Sequence, residues 1–152
     1  MLKKYLILFL MLTAGCTALP PAARQVQPTE DLFAIEKLAS AAYDKSDWKE
    51  SEKHYSILVE KAPGQAQFWL RLGNIYAHTN RPDMAIVAYR EALGRDSKLP
   101  NAWFNMGIIQ LKQAAYSFNE LQVNTQPGDP VAEESRKLLE GILGLIESQA
   151  EK

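Results

Sequence analysis

Apolar residues recur along the chain at helical intervals, cut by short polar breaks. The clearest stretch begins at Trp69. Trp69, Leu72, Gly73 and Tyr76 sit at i, i+3, i+4 and i+7, one face of a helix. Asn80-Arg81-Pro82 interrupts it, and Pro82 suits the first turn of a new helix. Ala85, Ile86, Tyr89, Ala92 and Leu93 then form a second apolar face. Small Ala85 and Ala92 leave room for bulky Trp69 and Tyr76, and Gly73 lets another helix come close. Upstream, the same reading predicts helices near 30–44 and 48–61, with Asp47 as an N-cap and Thr29 or Asp31 capping the first. Downstream, Phe104, Ile108, Leu111, Ala115, Phe118 and Leu121 keep helical spacing with no Gly or Pro after Gly107. This predicts either one helix over 101–124 or a tight bend at Gln113-Ala114. Thr125 to Pro130 breaks the pattern. A last helix is expected over about 130–149, striped by Val131, Leu138, Leu139, Ile142, Leu143 and Ile146 and backed by polar residues.

These hairpins repeat. Leu72-Gly73 falls over Leu38-Ala39, Ala85 over Ser51, Tyr89 over Tyr55 and Ala92 over Leu58, each 34 residues apart. The same offset of 34 carries Trp69 to Trp103, Leu72-Gly73 to Met106-Gly107 and Asn74 to Ile108. Trp69, Leu72, Gly73, Tyr76, Ala85, Tyr89 and Ala92, with Trp103 and Gly107, are therefore assigned to packing between repeats. The period and pattern resemble the tetratricopeptide repeat, whose W-x₂-L-G-x₂-Y…A-x₃-F…A signature the second unit follows with Tyr89 in place of Phe. In the first unit Ile35, Ala39 and Leu58 replace the signature Trp, Gly and Ala, and Pro63 closes it. The resemblance covers about residues 32–127. It implies an all-α fold: a short helical-repeat solenoid of two regular repeats and one truncated repeat over 30–127, closed by a C-terminal capping helix over 128–152.

The first residues read differently. Lys3-Lys4 precede an apolar run of about ten residues, too short for a membrane span of roughly 20. Leu12-Thr13-Ala14-Gly15-Cys16 resembles a bacterial lipobox, with Thr13 departing from the usual Leu. The resemblance implies a signal peptide over 1–15, cut before Cys16, whose thiol carries a diacylglycerol and whose amine is acylated, palmitate being a typical chain. Thr17 stands where Asp would mark retention at the inner membrane, so the outer membrane, periplasmic face, is expected. Residues 16–29 then form a Pro-rich tether, thirteen residues of which reach roughly 40 Å.

Charge and composition exclude more than they assign. Net charge is −1, with no clustered basic stretch, so no nucleic acid partner is expected. Cys16 is the only cysteine, so no internal disulfide can form. His54 and His78 lie apart with no further ligand nearby, so no metal is expected. No phosphate-binding glycine loop or activated nucleophile occurs, so neither a cofactor nor an enzyme activity is expected.

Function is then expected on the surface that packing leaves free. In the resembled family the first helices of successive repeats line a concave groove for a peptide or a partner helix. The matching positions are Phe33, Lys37 and Ser40, then Leu70, Arg71, Asn74 and His78, then Asn101, Phe104 and Asn105. Asn74 and Asn105 match the asparagines of a subfamily that clamps C-terminal carboxylates, but Leu70 stands at the clamp lysine. Family lipoproteins of this kind resemble assembly factors for envelope machines such as type IV pili or secretion systems. The alternative is a homo-oligomer formed through the last helix, a scaffold organising cell-wall enzymes.

Overall fold

The computed structural model describes residues 28–150, all helical apart from short turns. Cys16, the signal peptide and most of the tether lie outside the described residues. Six helices follow in order: α1 (Pro28–Asp44), α2 (Trp48–Lys61), α3 (Ala66–His78), α4 (Pro82–Arg95), α5 (Pro100–Asn124) and α6 (Pro130–Ala150). Helix α1 starts earlier than expected, so Pro28 and Thr29 belong to it and neither Thr29 nor Asp31 caps it. Asp47 does cap α2, its Oδ1 accepting from the Glu50 amide at 3.2 Å. None of the described helices is long and apolar enough to cross a membrane.

Each helix packs on the next: α1 on α2, α2 on α3, α3 on α4, α4 on α5 and α5 on α6. Helix α3 also touches α5, which is how a solenoid curls. Two cores result. One joins Ala39, Tyr55 and Leu58 to Leu72 and Ile75. The other joins Leu70, Ala85, Tyr89 and Leu93 to Ala102, Met106 and Ile109. The period governs burial. Ala102, Met106 and Ile109 of α5 are packed as Phe68, Leu72 and Ile75 of α3 are. Their α1 counterparts Ala34, Leu38 and Ala41 are exposed, since no described helix precedes α1: Leu38 is 55% exposed and Leu72 only 3%.

The period reaches the backbone. Ser46 and Asn80, 34 residues apart, both take left-handed conformations, with φ of 57° and 56°, where the first helix of each pair turns into the second. Asn tolerates this region well. The third counterpart is Ala114, followed two residues later by Tyr116 where the second repeat has Pro82. Neither residue makes a turn, and α5 runs straight through for 25 residues, about 37 Å. The single-helix alternative is the one the protein adopts.

Helix α6 therefore begins late, at Pro130, capped by Asp129, whose Oδ1 accepts from the Val131 amide at 2.8 Å. Among the described helices it packs on α5 alone. Ala132 and Ser135 are buried, and Gln122 of α5 donates to Ala132 O at 2.6 Å and to the Ser135 hydroxyl. Leu139 and Ile142 are half-buried, whereas Val131, Leu138, Leu143 and Leu145 are exposed.

Two of the expected packing residues depart from expectation. Trp103 is 54% exposed. Trp69 donates from Nε1 to Pro63 O at 3.0 Å, and the Arg95 guanidinium covers its ring at 4.8 Å. Trp103 keeps the matching bond, to Ser97 O at 3.0 Å, but the counterpart of Arg95 is Asp129 in the turn before α6. Nothing comparable covers its ring. Gly107 also has open space around it, because α6 does not bring a bulky ring there.

Gly73 is the opposite case: a Cβ built there meets Tyr89 Cε1 at 2.5 Å and Cδ1 at 2.6 Å. Gly73→Ala should destabilise the domain by about 1–3 kcal/mol, with Gly73→Leu worse. Gly107→Ala should stabilise it by about 0.5–1 kcal/mol through helix propensity alone. Urea unfolding followed by circular dichroism measures both, and equal effects at the two glycines would contradict the packing described.

Candidate functional site: a groove over α3 and α5

The groove is set by Tyr89. Its ring lies on Gly73, and its hydroxyl passes between α3 and α5 to donate to Asn74 Oδ1 at 2.9 Å. Asn105 Nδ2 donates to the same oxygen at 2.9 Å. Asn74 Oδ1 is thus filled. The Asn74 amide hydrogens and Asn105 Oδ1 take no part in these bonds and remain as a donor and an acceptor. Both asparagines are half-buried, so their orientation is held by packing as well as by hydrogen bonds.

Around this floor opens a groove of about 1000 Å³. Asn74, Ala77 and His78 of α3 line one wall, and Phe104, Asn105, Ile108 and Lys112 of α5 the other. Because α5 does not break, it carries Gln113, Tyr116 and Ser117 into the lining. Gln113 donates to Asp83 Oδ1 at 2.7 Å, fastening this extension to the start of α4. Lys112 and His78 line the groove, and no carboxylate does. Lys112 is the one full charge in this lining, on a chain whose net charge is −1.

The rim toward α1 is aromatic. His78 stacks on Trp48, with centroids 4.4 Å apart and planes 4° from parallel. Tyr43 meets Trp48 edge-on at 5.3 Å, and the Arg71 guanidinium lies 4.6 Å over the Tyr43 ring. Below, Arg81 makes a two-pronged ion pair with Glu52 and covers Tyr76 at 4.7 Å, tying the α3–α4 turn to α2.

Of the residues expected in the groove, Asn74, His78, Phe104 and Asn105 come together there. Arg71 lies behind its rim on Tyr43. Phe33, Lys37 and Asn101 are exposed and Ser40 half-buried, all away from this groove. Leu70 is a correction: it is 4% exposed, packed in the core with Met106 and Ile109, because α5 covers that side of α3. Its counterpart Phe104 shares only a small cleft with Leu145 of the following helix and is 54% exposed. Gln113, Tyr116 and Ser117 were not expected. The missing turn after Leu111 is the signal that brings them in.

Residues 36–100 match the family model for the tetratricopeptide repeat. Over the described residues the fold is an all-α helical-repeat solenoid of the tetratricopeptide type. Similar proteins include the general transcriptional corepressor ssn6 of Schizosaccharomyces pombe, 25% identical over 89 residues. That match takes in 57% of this chain but only 8% of the corepressor's length. Among solved structures, the TPR2B domain of yeast Sti1 in its pHsp70 complex is 19% identical. It superposes with a TM-score of 0.53 over 75% of this chain and 97% of that one. The Yersinia enterocolitica type III secretion chaperone SycD, in complex with a peptide of the translocator YopD, is 20% identical. It superposes with a TM-score of 0.54 over 80% of this chain and 95% of that one. At these identities the solved structures establish the fold.

Burial pushes the Tyr89 phenol up to about 12 and raises Tyr55 and Tyr76 as well. Unfolded tyrosines ionise near pH 10. Between about pH 10 and 12 the unfolded chain loses these protons while the folded Tyr89 keeps its own, so folding stability should fall as pH rises. Tyr89→Phe should flatten part of that alkaline decline. At neutral pH it should cost about 0.5–1.5 kcal/mol for the lost bond to Asn74. Urea titrations at several pH values read both effects, and an unchanged alkaline slope would contradict the burial of this phenol.

Proposed function

We propose that this protein is a membrane-anchored, non-catalytic adaptor that holds a peptide or helix of another protein in the α3–α5 groove. One observation carries the reading: a groove of about 1000 Å³ with paired asparagines on its floor, Lys112 and His78 on its walls and no carboxylate in its lining. The floor offers a donor and an acceptor to a main chain, and the walls favour an acidic partner. The solved relatives support it, since the Sti1 domain is seen with pHsp70 and SycD with a peptide of YopD.

The lipobox-like Leu12-Thr13-Ala14-Gly15-Cys16 supports the anchor. In this reading Cys16 is acylated, the domain hangs in the periplasm from the outer membrane, and its partner belongs to an assembly or secretion machine of the envelope. A radiolabelled palmitate pulse should label the wild-type chain and leave Cys16→Ser unlabelled and released from membranes. Labelling that persists in Cys16→Ser would remove the anchor from the account. Lys112→Glu, at an exposed position, should leave unfolding unchanged and reduce cross-linking to the same envelope protein severalfold. An unreduced cross-link would place the partner elsewhere.

A second reading is self-association, favoured by Val131 and Leu138, exposed on α6 one heptad apart. Light scattering separates the two: a wild-type dimer that Leu138→Asp makes monomeric supports the scaffold.

A further inference from the structure

Helix α1 carries a stripe that the rest of the described solenoid does not cover. Asp31, Ala34, Leu38 and Ala41, with Lys45 just past the helix end, recur at steps of three and four, and all five are exposed. In the inner repeats the apolar positions of this stripe are packed away: Leu72 and Ile75 of α3 and Met106 and Ile109 of α5 are buried. The two outer positions differ in kind. The counterparts of Asp31 and Lys45 are Gln65 and Thr79, then Leu99 and Gln113, none of them charged. Opposite charges thus stand at the two ends only on the helix that lies at the edge. Neither Asp31 nor Lys45 has an ion-pair partner among the described residues.

The stripe is its own complement. Asp31 lies seven residues before Leu38 and Lys45 seven after, while Ala34 lies four before and Ala41 three after. Two copies packed antiparallel about Leu38 therefore put Asp31 of each beside Lys45 of the other, and Ala34 beside Ala41. A parallel pair would set Asp31 on Asp31 and Lys45 on Lys45, so charge fixes the orientation. We infer that this stripe is the seat of a second copy of the chain, in an antiparallel, two-fold α1–α1 pairing. The alanines let the helix axes approach to about 8 Å, the close end of helix packing. Steps of three and four make the narrow seam that two helices share. Lys37 lies about 80° round the helix from the stripe, so its two copies meet only at the solvated rim, where charge counts for little. One helix pair buries less than the roughly 1,200 Å² of a standard interface, so the pairing is reversible. It goes beyond the adaptor reading and leaves that groove open: Tyr43, the α1 residue of the groove lining, lies on the far side of the helix from the stripe.

Sedimentation equilibrium of the full chain in a density-matched detergent, at up to about 1 mM, tests the pairing. The wild type should reach a monomer–dimer equilibrium. Leu38→Glu should weaken it about tenfold or more, with no fall in the Tm of the dilute, monomeric protein. Asp31→Lys and Lys45→Asp should each pair severalfold more weakly than the wild type, because each sets like charges together twice. Mixed in equal amounts, these two variants should pair with each other, since both contacts then join opposite charges. The double variant should pair with itself. Damage to folding could not give such rescue in trans. A wild type that stays monomeric overturns the inference, as does a mixture no more dimeric than its parts. If Leu38→Glu keeps the dimer and Leu138→Asp abolishes it, α6 carries the contact and α1 does not. If the wild type is monomeric and Leu38→Glu lowers Tm, residues before Pro28 cover the stripe instead and the pairing is overturned. Failure of the adaptor reading, seen as an unreduced cross-link in Lys112→Glu, would leave all of these results unchanged.

Discussion

The contact of Tyr89 with Gly73 joins the core of this protein to its working surface. The ring can lie flat on α3 only because residue 73 has no side chain, and an added Cβ would come within 2.6 Å of two ring carbons. With the ring so placed, the hydroxyl emerges at Asn74 and arrests the amide that Asn105 also holds. A loosened seam would therefore disturb both the second core and the groove floor. The first repeat reaches the same end by other means: Ala39 replaces the glycine, and Ser51, in the place of Ala85, donates its hydroxyl to Ala39 O at 3.1 Å. A polar group is buried there at little cost because its bond is made.

Most of the fold is legible in the 34-residue recurrence. The recurrence of Leu-Gly, Ala, Tyr and Ala specifies which faces meet, and Asn80-Arg81-Pro82 and Asp47 mark where helices turn. The third unit is legible only as a choice, since the absence of a turn is a weaker signal than a turn. Ala114 and Tyr116, in the places of Asn80 and Pro82, tip that choice toward one helix once the left-handed conformation of Asn80 is known. Site residues are harder to read, because register gives a direction on a helix and not what lies opposite. Register treats Leu70 and Phe104 alike, yet one is core and the other open, and the difference is the neighbour that each has. The same holds for Trp69 and Trp103, which share a hydrogen bond to the preceding loop and differ only in whether an arginine closes over the ring.

The unbroken α5 changes what the repeats can do. In a regular array the third pair would turn at Ala114 and present a short concave wall. Here the unbroken helix adds Gln113, Tyr116 and Ser117 to the lining of the groove.

Helix α6 meets α5 and no other element, and its polar fastening is Gln122 on Ala132 and Ser135 near one end. Helices α1 to α5 share two linked cores, so the most buried amides there should exchange last. The last helix can peel away by itself, leaving that block intact. Such an end helix is expected to be a low rung in the protein's ladder of opening energies, where a protease would cut first.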